Sequence, residues 1–582
     1  MIRKPLNKVL EEIGLLLEIK GENPFRSRAY LNAAKMVETL NGVDGLVEQR
    51  RLTEIKGIGQ ALAEKIEEYE KTGTMAYYDD LTRQVPPSLL ELLQVPNLGP
   101  KKVKVLFEHL GITNIGELEY ACRENRLTAL AGFGEATQAR ILKGIEFIKK
   151  HKGEFLFGDV FVQAEAVRSR LDGLFGPGSA EICGSIRRRK EVVRDIDVLV
   201  AHEKPDEVSR AFVSMPEVEE VLLTGETKTS CRLTTGVEAD LRVVGAHQFP
   251  SALLYFTGSK EHNVRLRGIA RDLQWKLNEY GLFEGDRRLK AESEAELYGR
   301  LGMGYIVPEL REDMGEIEAA KAGLLPRLIE ARDIRGVFHV HSDFSDGSQS
   351  IERIVEEAKQ LGFSYIGISD HSKSAFYARG LKREDVLRQW EMIDEINGRN
   401  EGFIIFKGIE SDILTDGGLD YEDDLLEGFD FVIASIHSNF TMKRQEMESR
   451  IFRAMESPFT TMLGHPTGRL LLSREGYEVG IHALIEAARV TGTIVELNAS
   501  PFRFDVDWRY LKYAKEKGVS ISINPDAHGP GGLADVFLGV GIARKGWQEK
   551  ADVLNTRDAN DIKDIFKSLR REKQDRRIDR KT

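Results

Sequence analysis

Beyond residue 330 the chain carries seven of its 12 histidines: His339, His341, His371, His437, His465, His482 and His528. All but His482 stand at the C-terminal ends of short apolar runs, in HVHSDFSDG, SDHS, SIHS, GHP and PDAH. Asp346, Glu410 (in KGIE) and Asp526 occupy equivalent places. A lone buried histidine is most often a satisfied core residue. Six at strand ends, with three acids, point instead to metal ligation, because imidazole and carboxylate together suit Zn²⁺, Mn²⁺ or Fe²⁺. Nine such ligands could serve up to three ions. His482 falls in a helical stretch and reads as an ordinary residue.

A second constellation lies in CGSIRRRKEVVRDIDVLVA, residues 183–201. Asp195 and Asp197 flank one isoleucine in a β-rich run, so both carboxylates point to one side of a strand. Such a pair is costly unless cations neutralise it. Asp240 interrupts another apolar strand, VEADLRVV. Three carboxylates on adjacent strands make a hard oxygen site suited to Mg²⁺, and such sites hold two ions in phosphoryl transfer. Gly184, Ser185 and the Arg187–Arg189 run lie just upstream, where a triphosphate would need donors. Asp-x-Asp alone would equally fit a solvated β-edge. The Gly-Ser-x-Arg-Arg ahead of it sharpens the reading.

A third pattern is repeated. Gly57-Ile58-Gly59, Asn97-Leu98-Gly99 and Gly132-Phe133-Gly134 each place a small turn before a helix. Glycine permits the tight turn, and the helix N-terminus then offers N–H groups to phosphate oxygens without reading bases. One copy would be an ordinary turn. Three copies point to helix–hairpin–helix grips on a DNA backbone. Lys65, Lys101, Lys102, Lys104, Arg140 and Lys143 follow the loops.

Several domains must position these groups. The chain has 582 residues, which at ~100–200 per domain suggests three to five. Lys+Arg 83 against Asp+Glu 94 gives a net charge of −11. That argues against simple coating of nucleic acid by overall charge and leaves local basic patches. No apolar run approaches the ~18 residues of a membrane span, and the charged start MIRKPLNKVLEEIG lacks a secretory leader's apolar core. Cys122, Cys183 and Cys231 show no CxxC spacing, which excludes a disulfide framework and a thiolate zinc site and suits a reducing cytoplasm. Residues 1–80 and 81–153 read as helical, with Val9, Leu10, Ile13, Leu16 and Leu17 spaced along one face. Residues 154–316 mix short β-rich runs with helices, and 317–334 read as a charged helical linker. From 335 a strand–helix rhythm begins. GVFHVH, SYIGISD, FIIFKGIE, FDFVIAS, TTMLGH, TIVELN and VSISIN are seven candidate strands, which predicts a parallel sheet. Seven units suit a TIM-type barrel, whose strand ends all open on one face. The basic run over 567–582 reads as a solvated helix end.

In this order, GSIRRRKEVVRDIDVLV, GETKTS, ADLRVV and LLYFTGSKEHN resemble the palm and thumb of the family X DNA polymerases, which include polymerase beta. The resemblance covers roughly residues 1–315. It implies a multidomain chain: a helical, helix–hairpin–helix N-terminal region, an α+β nucleotidyltransferase palm at 154–246 and a nucleotide-selecting thumb at 247–316. Asp195, Asp197 and Asp240 would be the catalytic metal ligands. Gly184, Ser185 and Arg188 would hold the triphosphate, and Lys228 would approach the template strand. Tyr255, Phe256, Gly258 and Ser259 would shape the sugar pocket, and Asn263 would reach the incoming base. Residues 1–80 are similar to the family's 5′-phosphate-binding lyase domain. Lys65 stands at the place of its Schiff-base lysine, and Arg26 and Tyr30 match positions near the phosphate. DNA contacts would come from Gly57, Gly59, Asn97, Gly99, Gly132 and Gly134. Two positions depart from polymerase beta: Ala61 replaces a phosphate-binding lysine and Glu154 a triphosphate arginine.

The histidine motifs are similar to those of polymerase-and-histidinol-phosphatase (PHP) domains. This resemblance covers about 335–575 and implies a C-terminal distorted (β/α)₇ TIM-like barrel over 335–582 that hydrolyses phosphoesters. His339, His341, Asp346, His371, Glu410, His437, His465, Asp526 and His528 would be its ligands for up to three Mn²⁺ or Zn²⁺ ions. His339, His341, Glu410 and His437 would be catalytic. The two halves are expected to have separate cores. Together they imply a monomeric, cytoplasmic, nucleoid-associated bacterial repair polymerase. It would fill short gaps in primer–template DNA from dNTPs with Mg²⁺. Its PHP part would be a 3′→5′ exonuclease with abasic sites as a second target. Two other readings are a small-molecule phosphatase and a non-catalytic DNA-binding protein. The DNA-gripping half speaks against the first, and the intact acidic triad against the second.

Overall fold

The structure, a computed structural model, describes residues 4–579 apart from 40–46, 48, 50, 56, 57, 97, 150–152 and 226. It forms two compact units, Met1–Ile148 and Lys149–Thr582.

The first unit is helical in its described residues. Leu6–Lys20 and Pro24–Thr39 open it, and Gln60–Thr72, Ala76–Gln84, Pro100–Leu110, Ile115–Arg123 and Glu135–Lys149 follow. Val9, Leu10, Ile13, Leu16 and Leu17 all face the core, as their helical spacing predicts. Each hairpin buries the apolar residue between its two turn positions, Ile58, Leu98 and Phe133. Gly59 and Gly99 are the N-caps of the next helices, and Gly134 precedes Glu135–Lys149. The element ahead of each loop is short: 3₁₀ turns at Leu52–Glu54 and Arg126–Ala129 and one α-turn at Leu89–Leu92. The expectations for Gly57 and Asn97 lie outside the described residues.

In the second unit a short strand, Phe155–Leu156, pairs with Val192–Val193 and leads into helix Phe157–Phe175, packed on a five-stranded sheet. Its strands are β1 (Ala180–Ile182), β2 (Asp195–Ala201), β3 (Val218–Thr224), β4 (Lys228–Leu233) and β5 (Glu238–Val244), in the order β1-β2-β5-β4-β3. The β2–β5 pair is parallel and the others antiparallel. Helices Phe249–Thr257 and Lys260–Asp272 and a small antiparallel sheet follow. The charged stretch 317–334 keeps an α-helix only at its start, Glu316–Ala322, with one 3₁₀ turn at Ala331–Asp333. Its Ile317 and Ala320 pack into the core of the preceding segment, and Ile329 and Ile334 into that of the barrel.

The barrel strands are β6 (Gly336–Val337), β7 (Tyr365–Ile368), β8 (Ile404–Asp412), β9 (Phe431–Ser435), β10 (Met462–Leu463), β11 (Ile494–Asn498) and β12 (Ile521–Asn524). All seven expected runs are present, in one parallel sheet ordered as in the sequence. Every residue of β7, β9 and β11 is buried, which is why they read as near-continuous apolar runs. The ring is nearly closed between β12 and β6. A bridge joins Val340 to Ala527, where the His341 N–H donates to the Ala527 carbonyl at 2.9 Å. Helix Ala559–Asp579 packs Phe566 on Phe338, Phe406 and Phe431. Its basic residues are not all solvated. Lys573 is buried and donates to the carbonyls of Met455 and Thr460 at 2.9 and 2.7 Å.

The expectation of separate cores is corrected by the contacts. One apolar cluster runs from Phe157, Val198 and Leu241 through to Phe504, Trp508 and Val540. Polar contacts accompany it. Lys545 Nζ donates to Glu312 Oε1 at 2.5 Å and to the Arg188 carbonyl at 3.0 Å, and lies 4.4 Å from the Trp508 ring centre. Trp508 Nε1 donates to Glu191 at 3.0 Å. Sequence periodicity assigns residues to faces of elements, not to partners hundreds of residues away.

Beside this seam Arg311 is fully buried and meets Glu294 at 2.6 Å, with Arg187 on the same carboxylate at 2.8 Å. Burial alone would raise the Glu294 carboxyl, but Arg311 and Arg187 bring it down to about 2. A depressed carboxylate contributes stability that is complete above its unfolded value of ~4.3 and is lost as pH falls through the folded one. Glu294→Ala should therefore destabilise the second unit by about 3–5 kcal/mol at pH 7, because it strands a buried guanidinium. The gap in thermal midpoint between parent and variant should narrow at pH 3. Calorimetry at both pH values checks this.

Candidate functional sites

The parallel pairing of β2 with β5 sets Asp197 directly opposite Asp240, with Asp195 two residues away on the same face. Burial, then Asp195 and Asp240, push the Asp197 carboxyl up to about 7. Burial, then Asp240, also raises Asp195. A cluster with this frustration fits divalent cations, whose charge would offset it. Lys228 Nζ lies 2.6 Å from Asp240 Oδ2, and Ser230 Oγ donates to Asp240 Oδ1 at 2.5 Å. Lys228 thus faces the acids.

Gly184 begins a one-turn helix, Gly184–Arg187, with φ +61°. A Cβ there would sit 2.1 Å from Asp197 Oδ2, so only glycine lets the Ser185 segment start so near the acids. Arg188 Nε donates to Glu312 at 3.1 Å, and its Nη1 donates to the Thr257 carbonyl. Helix Phe249–Thr257 carries Tyr255 and Phe256 and ends at Gly258. Phe256 lies under the Arg242 guanidinium at 4.4 Å. Ser259 caps the next helix, its Oγ accepting from His262 N at 3.2 Å. Asn263 Nδ2 donates to the Tyr255 carbonyl at 2.7 Å, and the two side chains line a small pocket with Arg267 and Asn278.

In the first unit Arg26, Tyr30 and Lys65 converge on the Tyr77 ring, at 5.2, 5.8 and 5.3 Å. Lys65 Nζ also donates to the Ala61 carbonyl at 2.9 Å. Tyr77 had no signal in the sequence, because it lies in a separate helix with no motif. A Cβ at Gly59, Gly99, Gly132 or Gly134 would meet nothing within 4 Å, so the hairpin tips face open space. Gly132, at φ +86°, needs glycine for conformation alone.

The barrel brings all nine expected ligands together, eight of them buried and His437 half-buried. Glu410 is central. Its Oε1 lies 2.9 Å from His465 Nε2 and 3.3 Å from Nε2 of both His339 and His437. Its Oε2 lies 2.9 Å from His371 Nδ1 and 3.7 Å from His341 Nε2. Asp526 Oδ1 lies 3.2 Å from His341 and 3.4 Å from His339. Asp346 approaches His371 at 3.5 Å and His528 at 3.4 Å. His339 Nε2, both nitrogens of His341 and of His371, and Glu410 Oε2 are buried without a well-formed hydrogen bond to described residues. Lone pairs left facing one another in this way fit divalent cations. Burial brings His341 down to about 3 and His465 down to about 4, whereas at His339, His371 and His437 the neighbouring carboxylates outweigh burial and raise the imidazole; a bound cation would need each of its imidazoles neutral.

A supporting set of acids was missed in the sequence. Glu496 accepts from His339 Nδ1 at 2.7 Å, from the His465 N–H at 2.6 Å and from Asn524 at 3.0 Å. Asp412 accepts from His437 Nδ1 at 2.5 Å. Asp370 takes the Ser342 N–H at 2.8 Å and Gln389 at 2.6 Å. A carboxylate behind an imidazole fixes its tautomer and turns the other nitrogen inward. The signal was present: Glu496 interrupts an apolar strand as Glu410 does, and Asp412 follows Glu410 by two on β8. His482 packs edge-on against Tyr510 and Tyr513, at 5.2 and 4.7 Å between ring centres, outside the cluster.

Comparison with known proteins covers the same regions. Family models for a helix-hairpin-helix domain match 1–75 and for a SAM-like helix-hairpin-helix tandem 89–146. The DNA polymerase beta thumb matches 252–312 and the PHP domain 338–500. The Bacillus subtilis protein called DNA polymerase/3'-5' exonuclease PolX is 37% identical over 97% of this chain and 100% of its own. A probable phosphatase of Thermoanaerobacter sp. is 27% identical over 40% of this chain and 94% of its own. DNA polymerase lambda of Rattus norvegicus is 25% identical over 53% of this chain and 56% of its own.

Asp412→Asn and Glu496→Gln should each weaken divalent-ion affinity about 10- to 100-fold, the usual effect of losing a carboxylate behind a metal ligand. His482→Ala should leave it unchanged. Competition with a chromophoric chelator measures all three.

Proposed function

The chain belongs to the bacterial family X DNA polymerases that carry a C-terminal PHP domain, and from that membership and the site geometry we propose how its residues divide the work. It is a DNA polymerase with a 3′–5′ exonuclease in the PHP domain, and it uses divalent metal ions. It acts on primer–template DNA with dNTPs. Among the described residues no helix is long and apolar enough to cross a membrane. The phosphatase reading is not favoured, because the polymerase relative spans 97% of the chain and the phosphatase 40%.

Asp195, Asp197 and Asp240 hold two Mg²⁺ ions; the observation that carries this is the register of Asp197 opposite Asp240 on parallel strands. Lys228 and Ser230 keep the Asp240 carboxylate oriented. Gly184 admits a triphosphate close to the acids, with Ser185 and Arg188 as its donors. Tyr255, Phe256, Gly258 and Ser259 form the sugar pocket, and Asn263 faces the base. Arg26, Tyr30 and Lys65, gathered at Tyr77, take the 5′-phosphate side of a short gap, with Lys65 placed for lyase chemistry. Gly59, Gly99, Gly132 and Gly134 present backbone N–H groups to the DNA strands. These roles divide the chain at 1–80, 81–153, 154–246, 247–316, 317–334 and 335–582.

In the barrel the nine ligands would hold up to three Mn²⁺ or Zn²⁺ ions, with Glu410 the carboxylate that most of the imidazoles surround. When bound, the cations of both sites activate the attacking oxygen and neutralise charge on the leaving one. Glu496 and Asp412 keep the protons of His339 and His437 on the outward nitrogens. The setting we infer is cytoplasmic gap repair, with abasic sites as a second target of the nuclease.

Replacing Asp195 and Asp197 together by Ala should abolish extension of a gapped primer while leaving DNA binding largely intact, since binding rests on backbone grips. Unchanged extension by the double variant would remove the palm assignment. Extension should also favour a gap with a 5′-phosphate over one with a 5′-hydroxyl, by a margin that shrinks as salt rises. Equal rates at matched salt would count against the role of Arg26 and Tyr30. His339→Ala should lower 3′-end degradation by orders of magnitude while extension persists. Because the halves share a core, that comparison requires an unchanged thermal midpoint. Undiminished degradation would place the nuclease elsewhere.

A further inference from the structure

The loop Ser372–Leu381 follows the ligand His371, so it must stand beside the cluster. Its base is fixed. The Leu381 N–H donates to the His371 carbonyl at 2.8 Å, and the Tyr421 hydroxyl donates to the Leu381 carbonyl. The Ser374 N–H donates to Asp420 at 2.6 Å, and Ser374 Oγ donates to Asp412 at 3.2 Å. A Cβ at Gly380 would lie 1.9 Å from the Ser372 carbonyl oxygen, so the loop closes only on glycine. Ala375 and Ala378 are fully buried anchors.

Between these anchors the loop turns its large groups outward. Phe376 is 78% exposed, the second-highest exposure among the large apolar side chains described. Arg379 is exposed, has left-handed backbone at φ +57°, and makes no side-chain hydrogen bond or ion pair with described residues. A non-glycine residue there is strained by about 1 kcal/mol or more, and such strain is kept mainly at working sites. Lys373 is exposed as well. Tyr377 connects the loop to the ligands. Its ring lies 6.2 Å from that of His371, 6.4 Å from that of His437 and 6.1 Å from that of Phe376. The anchored loop thus holds an aromatic face in water, flanked in sequence by two exposed cations and one ring away from two ligands; Lys373 Nζ lies 5.6 Å from the centre of the Tyr421 ring.

Resting on the exonuclease reading of the barrel, we propose that Lys373, Phe376 and Arg379 form a binding subsite for the single-stranded 3′ end of DNA. A terminal base stacks on Phe376, and Lys373 and Arg379 hold the flanking phosphates. Stacking on an aromatic face together with phosphate contacts is how single strands are gripped without regard to sequence. Bases have a π-face and backbones have charge, so the subsite selects a frayed strand over a paired duplex end. A small phosphate monoester would gain nothing from it.

The test uses the full-length protein. Degradation is compared on a single-stranded oligonucleotide with normal 3′ residues and on one whose last two residues lack bases. The parent should show the lower KM on the normal end, and Phe376→Ala should raise that KM about 5- to 150-fold, the equivalent of one base–aromatic stack of ~1–3 kcal/mol. It should also erase the difference between substrates, while kcat and bound metal stay unchanged. Phe376→Trp should retain the discrimination. Arg379→Ala should weaken binding to both and flatten its salt dependence. A second readout needs no cleavage. With divalent ions chelated, 2-aminopurine at the 3′ end should be quenched by the parent and not by Phe376→Ala. Equal KM and equal quenching in parent and Phe376→Ala would overturn the subsite. Should His339→Ala keep full degradation, the exonuclease assignment to the barrel would fall instead, so the two failures are distinguishable.

Discussion

Glu410 is the carboxylate around which the barrel is organised. It is buried at the end of the longest barrel strand, and five imidazoles stand within 3.7 Å of its two oxygens. A charge in that position is tolerable only if it is compensated. The ring of seven strands is held shut by the same groups. Its closing bridge joins Val340 to Ala527, and the residues on either side are His339, His341, Asp526 and His528. Four of the nine expected ligands therefore sit on the seam. Cations bound there would tie β6 to β12 as well as serve catalysis, so ligation and closure are linked.

The palm solves the same electrostatic problem with a different scaffold. A single parallel pair within a mostly antiparallel sheet puts Asp197 opposite Asp240, and the half-buried Asp197 carboxyl is pushed up to about 7 by its loss of water and then by Asp195 and Asp240. Lys228 and Ser230 come from the neighbouring antiparallel strand, where Ser230 is the register partner of Asp240. Strand alternation then brings Lys228 to the same face. The arrangement shows why Gly184 has no side chain: any carbon added there would overlap the Asp197 carboxylate.

Both sites were legible in the sequence to the extent that strand periodicity reaches. Alternation placed Asp195 with Asp197. Strand ends placed six histidines, Asp346, Glu410 and Asp526 on one rim, because a parallel barrel opens all its C-terminal strand ends on one face. What periodicity does not carry is the partner behind a ligand. Glu496 and Asp412 bear the same mark as Glu410, an acid in an apolar strand, but nothing in a linear pattern says which imidazole each will meet. Tyr77 had no mark at all, and its role as the ring on which Arg26, Tyr30 and Lys65 converge depends on how helices pack. The basic run at the C-terminal end reads as solvated by composition. Lys573 is buried because the carbonyls of Met455 and Thr460 and the Thr493 hydroxyl satisfy its ammonium group, partners 80 to 118 residues away that a linear pattern does not bring to it.

The seam between palm and barrel shows the same limit at larger scale. Lys545 is buried in the barrel half, and burial brings its ammonium down to about 8. It stays in place by stacking on Trp508 and by meeting Glu312, the carboxylate that also receives Arg188. Arg188 is therefore clamped at both ends. Its carbonyl accepts from Lys545 and its guanidinium is drawn to Glu312 and Thr257. Arg188 owes its position in part to a lysine 357 residues along the chain. Burying two such cations around one carboxylate is tolerable only while all three partners remain. The geometry of the Gly184–Arg188 segment thus belongs to the whole second unit rather than to the palm alone.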